Sequence, residues 1–240
     1  MKKILPGFIR NAVSDAKLTK VSQRPEAIEV GERMLKSMID DAGLQKDAVI
    51  LDVGCGYGRI ALPLTKYLSK SARYEGFDIL PGEIAWATRH VTSQYPNFHF
   101  QLANIHNKYY HIEGQLTARE YRFPFDDGTF DFVCLHSVFT HLLRLDLEHY
   151  LSEISRVLKP GGMTHITYFL MSSDAGGTQP RRERLRIESD GCWLFDAERP
   201  EWETGYEEDY IRTLYQTNQL EIKEPIIFNH QDLVMATKTA

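Results

Sequence analysis

The sequence predicts an α/β protein with a doubly wound, mostly parallel seven-stranded sheet whose last strand is antiparallel. Three observations carry this prediction. Short apolar runs alternate with stretches of helical periodicity. The first run empties into a glycine turn, Gly54-Cys55-Gly56-Tyr57-Gly58, that leads straight into a helix. The chain closes on two strand-like segments separated by a short turn, which fits an antiparallel pair.

Ahead of the first strand, Ile28, Met34, Leu35, Met38 and Ile39 keep helical spacing between Pro25 and Ile39, with Gly43 as the stop. Residues 1–44 are therefore expected to form an N-terminal helical extension and residues 45–240 the main domain. Val49-Ile50-Leu51-Asp52-Val53 has the pattern of a parallel strand buried on both faces. The next helix carries Ile60, Leu62, Leu64, Tyr67 and Leu68, with Pro63 tolerated in its first turn. Tyr74 to Asp78 is the second strand, followed by a helix from Pro81 to Tyr95 with Ile84, Thr88, Val91 and Tyr95 on one stripe.

Phe98 to Ala103 and Phe130 to Leu135 supply the third and fourth strands. A helix from about Asp146, expected as its N-cap, aligns Leu147, Tyr150, Leu151, Ile154, Val157 and Leu158. It stops at Lys159-Pro160-Gly161-Gly162, and Met163 to Leu170 resumes as the fifth strand. After a helix at about Glu207 to Thr217, Leu220 to Phe228 and Leu233 to Lys238 form the closing pair around Asn229-His230. Ligands of such a sheet bind beyond the carboxyl ends of its strands.

Two segments exceed the minimal repeat, residues 107–128 and 172–205, and both are expected to act as lids. The second holds the basic run Arg181-Arg182-Glu183-Arg184-Leu185-Arg186 and then an acidic stretch from Asp196 to Asp209, the composition of a solvated excursion. Its apolar cluster Trp193-Leu194-Phe195 is expected to pack down over a bound ligand.

With 42% apolar and 25% charged residues, the chain has the composition of an ordinary globular protein. A net charge of -5 offers no general attraction to nucleic acid or to an anionic membrane face. No apolar run suits a signal-peptide core or a membrane span, so a cytoplasmic location is expected. The three cysteines, Cys55, Cys134 and Cys192, lie at no zinc-site spacing and read as reduced thiols, so no metal site is expected.

The glycine turn lets the backbone approach a ligand without side-chain obstruction. A dinucleotide fingerprint would place its third glycine at position 59, where this chain has Arg59, and this spacing disfavours a nicotinamide oxidoreductase. Asp78 ends the second strand about 20 residues on, where a carboxylate can accept hydrogen bonds from a ribose diol.

The run from Val49 to Arg59 resembles the first motif of class I S-adenosylmethionine-dependent methyltransferases. Phe77-Asp78-Ile79 resembles that family's ribose-binding loop, Phe123-Pro124-Phe125-Asp126-Asp127-Gly128-Thr129-Phe130 its approach to the fourth strand, and Arg156-Val157-Leu158-Lys159-Pro160-Gly161-Gly162 its turn before the fifth. The resemblance covers about residues 45 to 170, and the closing strand pair is similar to the family's sixth and seventh strands.

The resemblance implies S-adenosylmethionine as cofactor. The turn from Gly54 to Gly56 would hold the methionine end, with Asp52 ordering that turn or the amino group through hydrogen bonds, and Cys55, Gly58 and Arg59 would belong to the same cofactor site. Asp78 would hold the ribose, Ile79 would cover the adenine, and Asn104 with Ile105 would stand where the family often has an adenine-binding aspartate. His136 and Ser137 match positions that line the sulfonium and the acceptor. His136 and His141 are the candidate catalytic bases, since histidine titrates in the useful range. His106, His111 and His165 read as structural or merely exposed.

The expected function is methyl transfer to a small-molecule or sugar-containing acceptor. RNA, DNA or protein methylation is the first alternative, favoured by the arginine run, and a basic groove beside the pocket would support it. A non-catalytic cofactor-binding or regulatory module is the second, and a cavity plugged by side chains would support that one.

Overall fold

The computed structural model describes residues 15–171, 183–227 and 230–240. Two helices come first, α1 (Asp15–Ser22) and α2 (Pro25–Asp40). Strand β1 (Val49–Val53), helix α3 (Ala61–Tyr67), strand β2 (Arg73–Asp78), helix α4 (Pro81–Ala87) and strand β3 (Phe98–Leu102) then alternate as the periodicity predicts. Helix α4 is shorter than expected because a π-helical turn, Thr88–Thr92, takes over its last residues.

Strand β4 (Phe130–Leu135), helix α5 (Arg144–Val157) and strand β5 (Leu158–Tyr168) follow. Helix α5 starts before Asp146, with Leu143 at its N-cap and no side-chain cap. Asp146 is instead occupied outside the helix, accepting from the backbone N–H of Arg119 at 3.1 Å. The predicted stop at Pro160-Gly161-Gly162 is a bulge inside β5. Its register against β4 jumps from Phe130↔Leu158 to Phe132↔Met163, with Gly161 at φ +77°.

With β9 (Leu220–Ile222) and β10 (Asp232–Lys238) the main sheet has seven strands, in the order β3-β2-β1-β4-β5-β10-β9. Strands β1 to β5 pair in parallel, and β10 runs antiparallel to both β5 and β9. The expected strand to Phe228 ends at Ile222, and only an isolated bridge, Ile227↔Leu233, continues the pairing. Phe228 and Asn229 lie outside the described residues.

Alternation along the strands builds two cores. Leu51, Val53, Val133, Leu135, Ile166 and Tyr168 face α5 and the last helix, α6 (Glu208–Thr217). Ile50, Tyr74, Phe132 and Cys134 face the other way, where Leu18 of α1, Met38 of α2, Leu64 of α3 and Trp86 of α4 cover them. The indole N–H of Trp86 donates to Thr19 Oγ1 at 3.0 Å, tying α1 to α4.

The segment at 183–205 is not the solvated excursion its composition suggested. It forms a three-stranded sheet of β6 (Ile187–Ser189), β7 (Cys192–Leu194) and β8 (Thr204–Gly205). Leu185, Cys192 and Leu194 are buried, so a few apolar side chains spaced among charges suffice to anchor it. Of the arginine run, Arg181 and Arg182 lie outside the described residues, while Arg184 pairs with Glu203 at 2.7 Å and sits over the Phe169 ring. No helix among the described residues is long and apolar enough to cross a membrane.

Candidate active site

The turn after β1 is locked to the end of β2. The N–H groups of Gly54 and Cys55 both donate to the Phe77 carbonyl, at 2.9 and 3.1 Å. Asp78 closes the lock, accepting from Gly56 N–H at 2.8 Å on one carboxylate oxygen and from Leu80 N–H at 3.0 Å on the other. Gly54 sits at φ +77°, and a Cβ there would lie 2.2 Å from Val138 Cγ2. Conformation and space therefore both require glycine at this position.

Val138 reaches Gly54 because the residue before it is bent into the left-handed region. Ser137 has φ +59°, unusual for a side chain with a Cβ. Its neighbours over-determine that geometry: Ser137 N–H donates to Thr167 Oγ1 at 2.9 Å, and Ser137 Oγ and Thr167 Oγ1 donate to Gln231 Oε1 at 3.0 and 2.9 Å. Strands β4, β5 and β10 meet in this knot.

A cavity of about 800 Å³ opens at the carboxyl ends of β1, β2 and β4. Gly54, Asp78, Ile79, Ile105, His136, Ser137 and His141 all border it. The remaining predicted site residues stand behind it. Gly56 and Gly58 shape the turn, and Gly58 N–H donates to Cys55 O at 2.9 Å. Cys55 is packed against Gly76, where an added Cβ would meet its sulfur at 2.9 Å, and burial pushes its thiol pKa up. Arg59 lies close enough to act electrostatically on both Asp52 and His136. The Asn104 amide is engaged twice by Gln115, donating to its side-chain oxygen and accepting from its backbone N–H, both at 3.1 Å.

Asp52 is buried on the opposite face of β1 and accepts from the Tyr74 hydroxyl at 2.7 Å. Desolvation pushes its pKa up to about 6, against the hydrogen bonds from Tyr74 and Cys134.

His136 follows β4 and is buried; its Nε2 lies 2.6 Å from Nδ1 of His165. His165 Nε2 in turn lies 3.1 Å from Ser37 Oγ, which donates to Asp41 Oδ2 at 2.7 Å. Burial, with His165 and Arg59 alongside, pushes the His136 pKa well down, and burial lowers that of His165 to about 4. Both rings are neutral at ordinary pH. His165 was expected to be structural or exposed; it is buried and bonded directly to a site residue. The alternation on β5, with Ile166 and Tyr168 facing one core and Met163 and His165 the other, was the available signal.

The outer wall comes from the two long segments. Tyr109, Tyr110, Thr117 and Ala118 contribute from one, and Asp190, Glu201 and Trp202 from the other. Asn107 Nδ2 donates to Glu201 Oε2 at 3.2 Å, and His141 Nδ1 lies 3.1 Å from the Glu201 carbonyl. Of the expected lid cluster, Leu194 is core, Trp193 packs beside Phe169, Met171 and Leu185, and Phe195 stacks on Trp202. The cluster anchors its segment, and Trp202, with Asp190 and Glu201, reaches the cavity.

Residues 51–166 match a family described as a methyltransferase domain. A sterol 24-C-methyltransferase of Aspergillus fumigatus is 29% identical over 145 residues, 60% of this chain and 34% of that protein. The chain spans about a third of the length of the curated relatives it matches first. Among solved structures, a SAM-dependent methyltransferase of Methanosarcina mazei superposes with a TM-score of 0.60 at 23% identity, covering 84% of this chain and 97% of that one. A second, from Aquifex aeolicus, gives 0.57 at 19% identity, covering 95% and 100%. Those two likenesses are of fold. Residues 51–166 are thus a methyltransferase domain, and the fold around them is that of the class I S-adenosylmethionine-dependent methyltransferases.

Proposed function

We propose that the chain transfers a methyl group from S-adenosylmethionine to a small-molecule acceptor held in the same cavity. The observation that carries this reading is a continuous cavity of about 800 Å³ running from Asp78 and Ile79, past Gly54 and His136, to His141 and Trp202. Ligand pockets are commonly about 300–1,000 Å³, so cofactor and acceptor can share it.

The residues fit the cofactor in kind. Asp78 is buried at the strand end, and a carboxylate can accept several hydrogen bonds, so two backbone contacts and a ribose hydroxyl are compatible there. Ile79 and Ile105 offer apolar faces for the adenine, and Gly54 leaves the backbone bare toward the methionine end. Asn104, already bonded to Gln115, orders the adenine-side loop rather than reading the base. Asp52, bonded to Tyr74, and Arg59 do not border the cavity and act on the cofactor only indirectly.

When bound, the cofactor supplies a methyl group already activated on sulfur. The chain then has to orient the acceptor behind it and exclude water. The wall of Tyr109, Tyr110, Leu142, Leu143 and Trp202 suits a ring-bearing, largely apolar acceptor, in keeping with the sterol named for the fungal relative. The charged groups on the same wall, Arg119 with Asp146, Asp190 and Glu201, do not form a basic groove, which weighs against nucleic acid. The open cavity weighs against a non-catalytic module.

Calorimetry with S-adenosylhomocysteine, using NADH as the control, tests the reading. Micromolar binding of the first and none of the second is expected; the reverse result would overturn it.

A further inference from the structure

The buried chain His136–His165–Ser37–Asp41 has a direction. Asp41 bears a carboxylate, which can only accept, and the single hydroxyl proton of Ser37 points to it at 2.7 Å. Ser37 Oγ must therefore accept from His165 Nε2, 3.1 Å away. A neutral imidazole that donates from one nitrogen has a bare lone pair on the other. His165 Nδ1 is thus an acceptor, and at 2.6 Å it receives the Nε2–H of His136. By the same rule His136 Nδ1 is bare. It is a buried atom with no hydrogen-bond partner among the described residues, on a residue that borders the cavity.

We propose that Asp41, at the end of α2, sets through Ser37 and His165 the tautomer of His136, leaving His136 Nδ1 as an unpartnered hydrogen-bond acceptor just beneath the surface of a cavity-lining residue, which a hydroxyl or N–H of the methyl acceptor satisfies when the wall yields to it. The consequence is a substrate class. An acceptor molecule that brings a donor to this atom is oriented, whereas an ionised carboxylate brings a second lone pair and is repelled. An unsatisfied buried acceptor also discriminates strongly against analogues that lack the donor. His165, Ser37 and Asp41 touch no ligand; they are positioning residues.

The charged neighbours leave this logic intact. Burial keeps both rings neutral, and Arg59, facing His136, disfavours a second proton on it. Asp41 acts on His165 in the opposite sense, without outweighing burial. Lys223 contacts the backbone carbonyl of Asp41, not its carboxylate, so replacing that side chain leaves the contact in place.

The inference rests on the methyltransferase reading only for what enters the cavity; the tautomers stand without it. Imidazole nitrogen NMR on the intact protein reads them directly. In the wild type, His136 and His165 are both expected to carry Nε2–H and bare Nδ1. Asp41→Ala frees the Ser37 hydroxyl to turn and donate to His165, which reverses every bond in the chain. His136 should then change from Nε2–H to Nδ1–H as its major form. Asp41→Asn retains an oxygen for Ser37 and should restore the wild-type pattern. Nδ1–H on His136 in the wild type, or an unchanged His136 in folded Asp41→Ala, would overturn the proposal. S-adenosylhomocysteine affinity on the same samples separates the two readings, since failure of wild-type binding removes the methyltransferase role and leaves the tautomers as measured.

Discussion

The backbone N–H of Gly56 donates to the carboxylate of Asp78 at 2.8 Å, so the glycine turn after β1 and the acid at the end of β2 are one unit. Asp78→Ala therefore does two things at once. It removes the acceptor proposed for the ribose, and it releases the Gly56 and Leu80 N–H groups. A loss of about 2 kcal/mol or more of S-adenosylhomocysteine affinity is expected by calorimetry, given the usual cost of stranding hydrogen-bonding groups. Unchanged affinity would mean that the ribose does not sit there.

Gly54→Ala should fail for two separable reasons. Its φ of +77° costs a residue with a Cβ about 1–3 kcal/mol, and the new methyl would lie 2.2 Å from Val138 Cγ2. Val138→Ala removes the second cost and not the first. In denaturant unfolding, the double variant should be more stable than the sum of the two singles predicts, by about 1 kcal/mol or more. Additivity would show that Val138 can move aside freely.

Much of this unit was legible in the sequence because it is local. Val49 to Val53 and Phe130 to Leu135 are apolar runs with abrupt polar or glycine ends, and both strands fall at the predicted residues. Gly54 and Asp78 sit at strand ends that the alternation of strand and helix already located. What was hidden depends on contacts distant in sequence. The left-handed Ser137 follows from bonds to Thr167 and Gln231, and the role of His165 follows from a partner 128 residues away, Ser37. In the segment at 183–205, Leu185, Cys192 and Leu194 bury themselves at spacings too irregular to stand out from the surrounding charge. Helix α5 outran its predicted start because Asp146 bonds to Arg119 N–H instead of capping the helix.

Asp52 makes stability depend on pH with a definite sign. Its folded pKa, about 6, lies above the ordinary 3.8, so its contribution is fully present below pH 3.8 and is lost as pH rises through about 6. Asp52→Asn removes that dependence and keeps an oxygen for the Tyr74 hydroxyl. The stability of the variant relative to the wild type should therefore rise by about 3 kcal/mol across that window and then level off. His136 and His165, whose pKa values are lowered, have the opposite sign, since their contribution is lost as pH falls below 6.5. They act equally in both proteins, so the difference isolates Asp52. A flat difference in urea midpoints between pH 4 and 7 would place the carboxyl in a wetter setting.

Asn107 joins the two segments that wall the cavity, and its side chain does so with separable groups. Its Oδ1 accepts from the N–H groups of Tyr109 and Tyr110 at 2.9 and 3.1 Å, which shapes its own loop. Its Nδ2 donates to Glu201 Oε2 at 3.2 Å, which ties that loop to the segment carrying Trp202. Asn107→Ala deletes both functions and should raise hydrogen exchange at 107–111 and at 199–204 together. Asn107→Asp keeps the acceptor for the two tyrosine amides and sets a carboxylate against Glu201. Its own loop should then stay protected while 199–204 opens, because a like-charge contact replaces the tie. If the tie holds the wall shut around a ligand, S-adenosylhomocysteine should slow exchange at 199–204 in the wild type more than in Asn107→Asp. Equal exchange at 199–204 in the two proteins, with and without ligand, would mean that the segments close the cavity independently and that Glu201 is held by its contact with His141 alone.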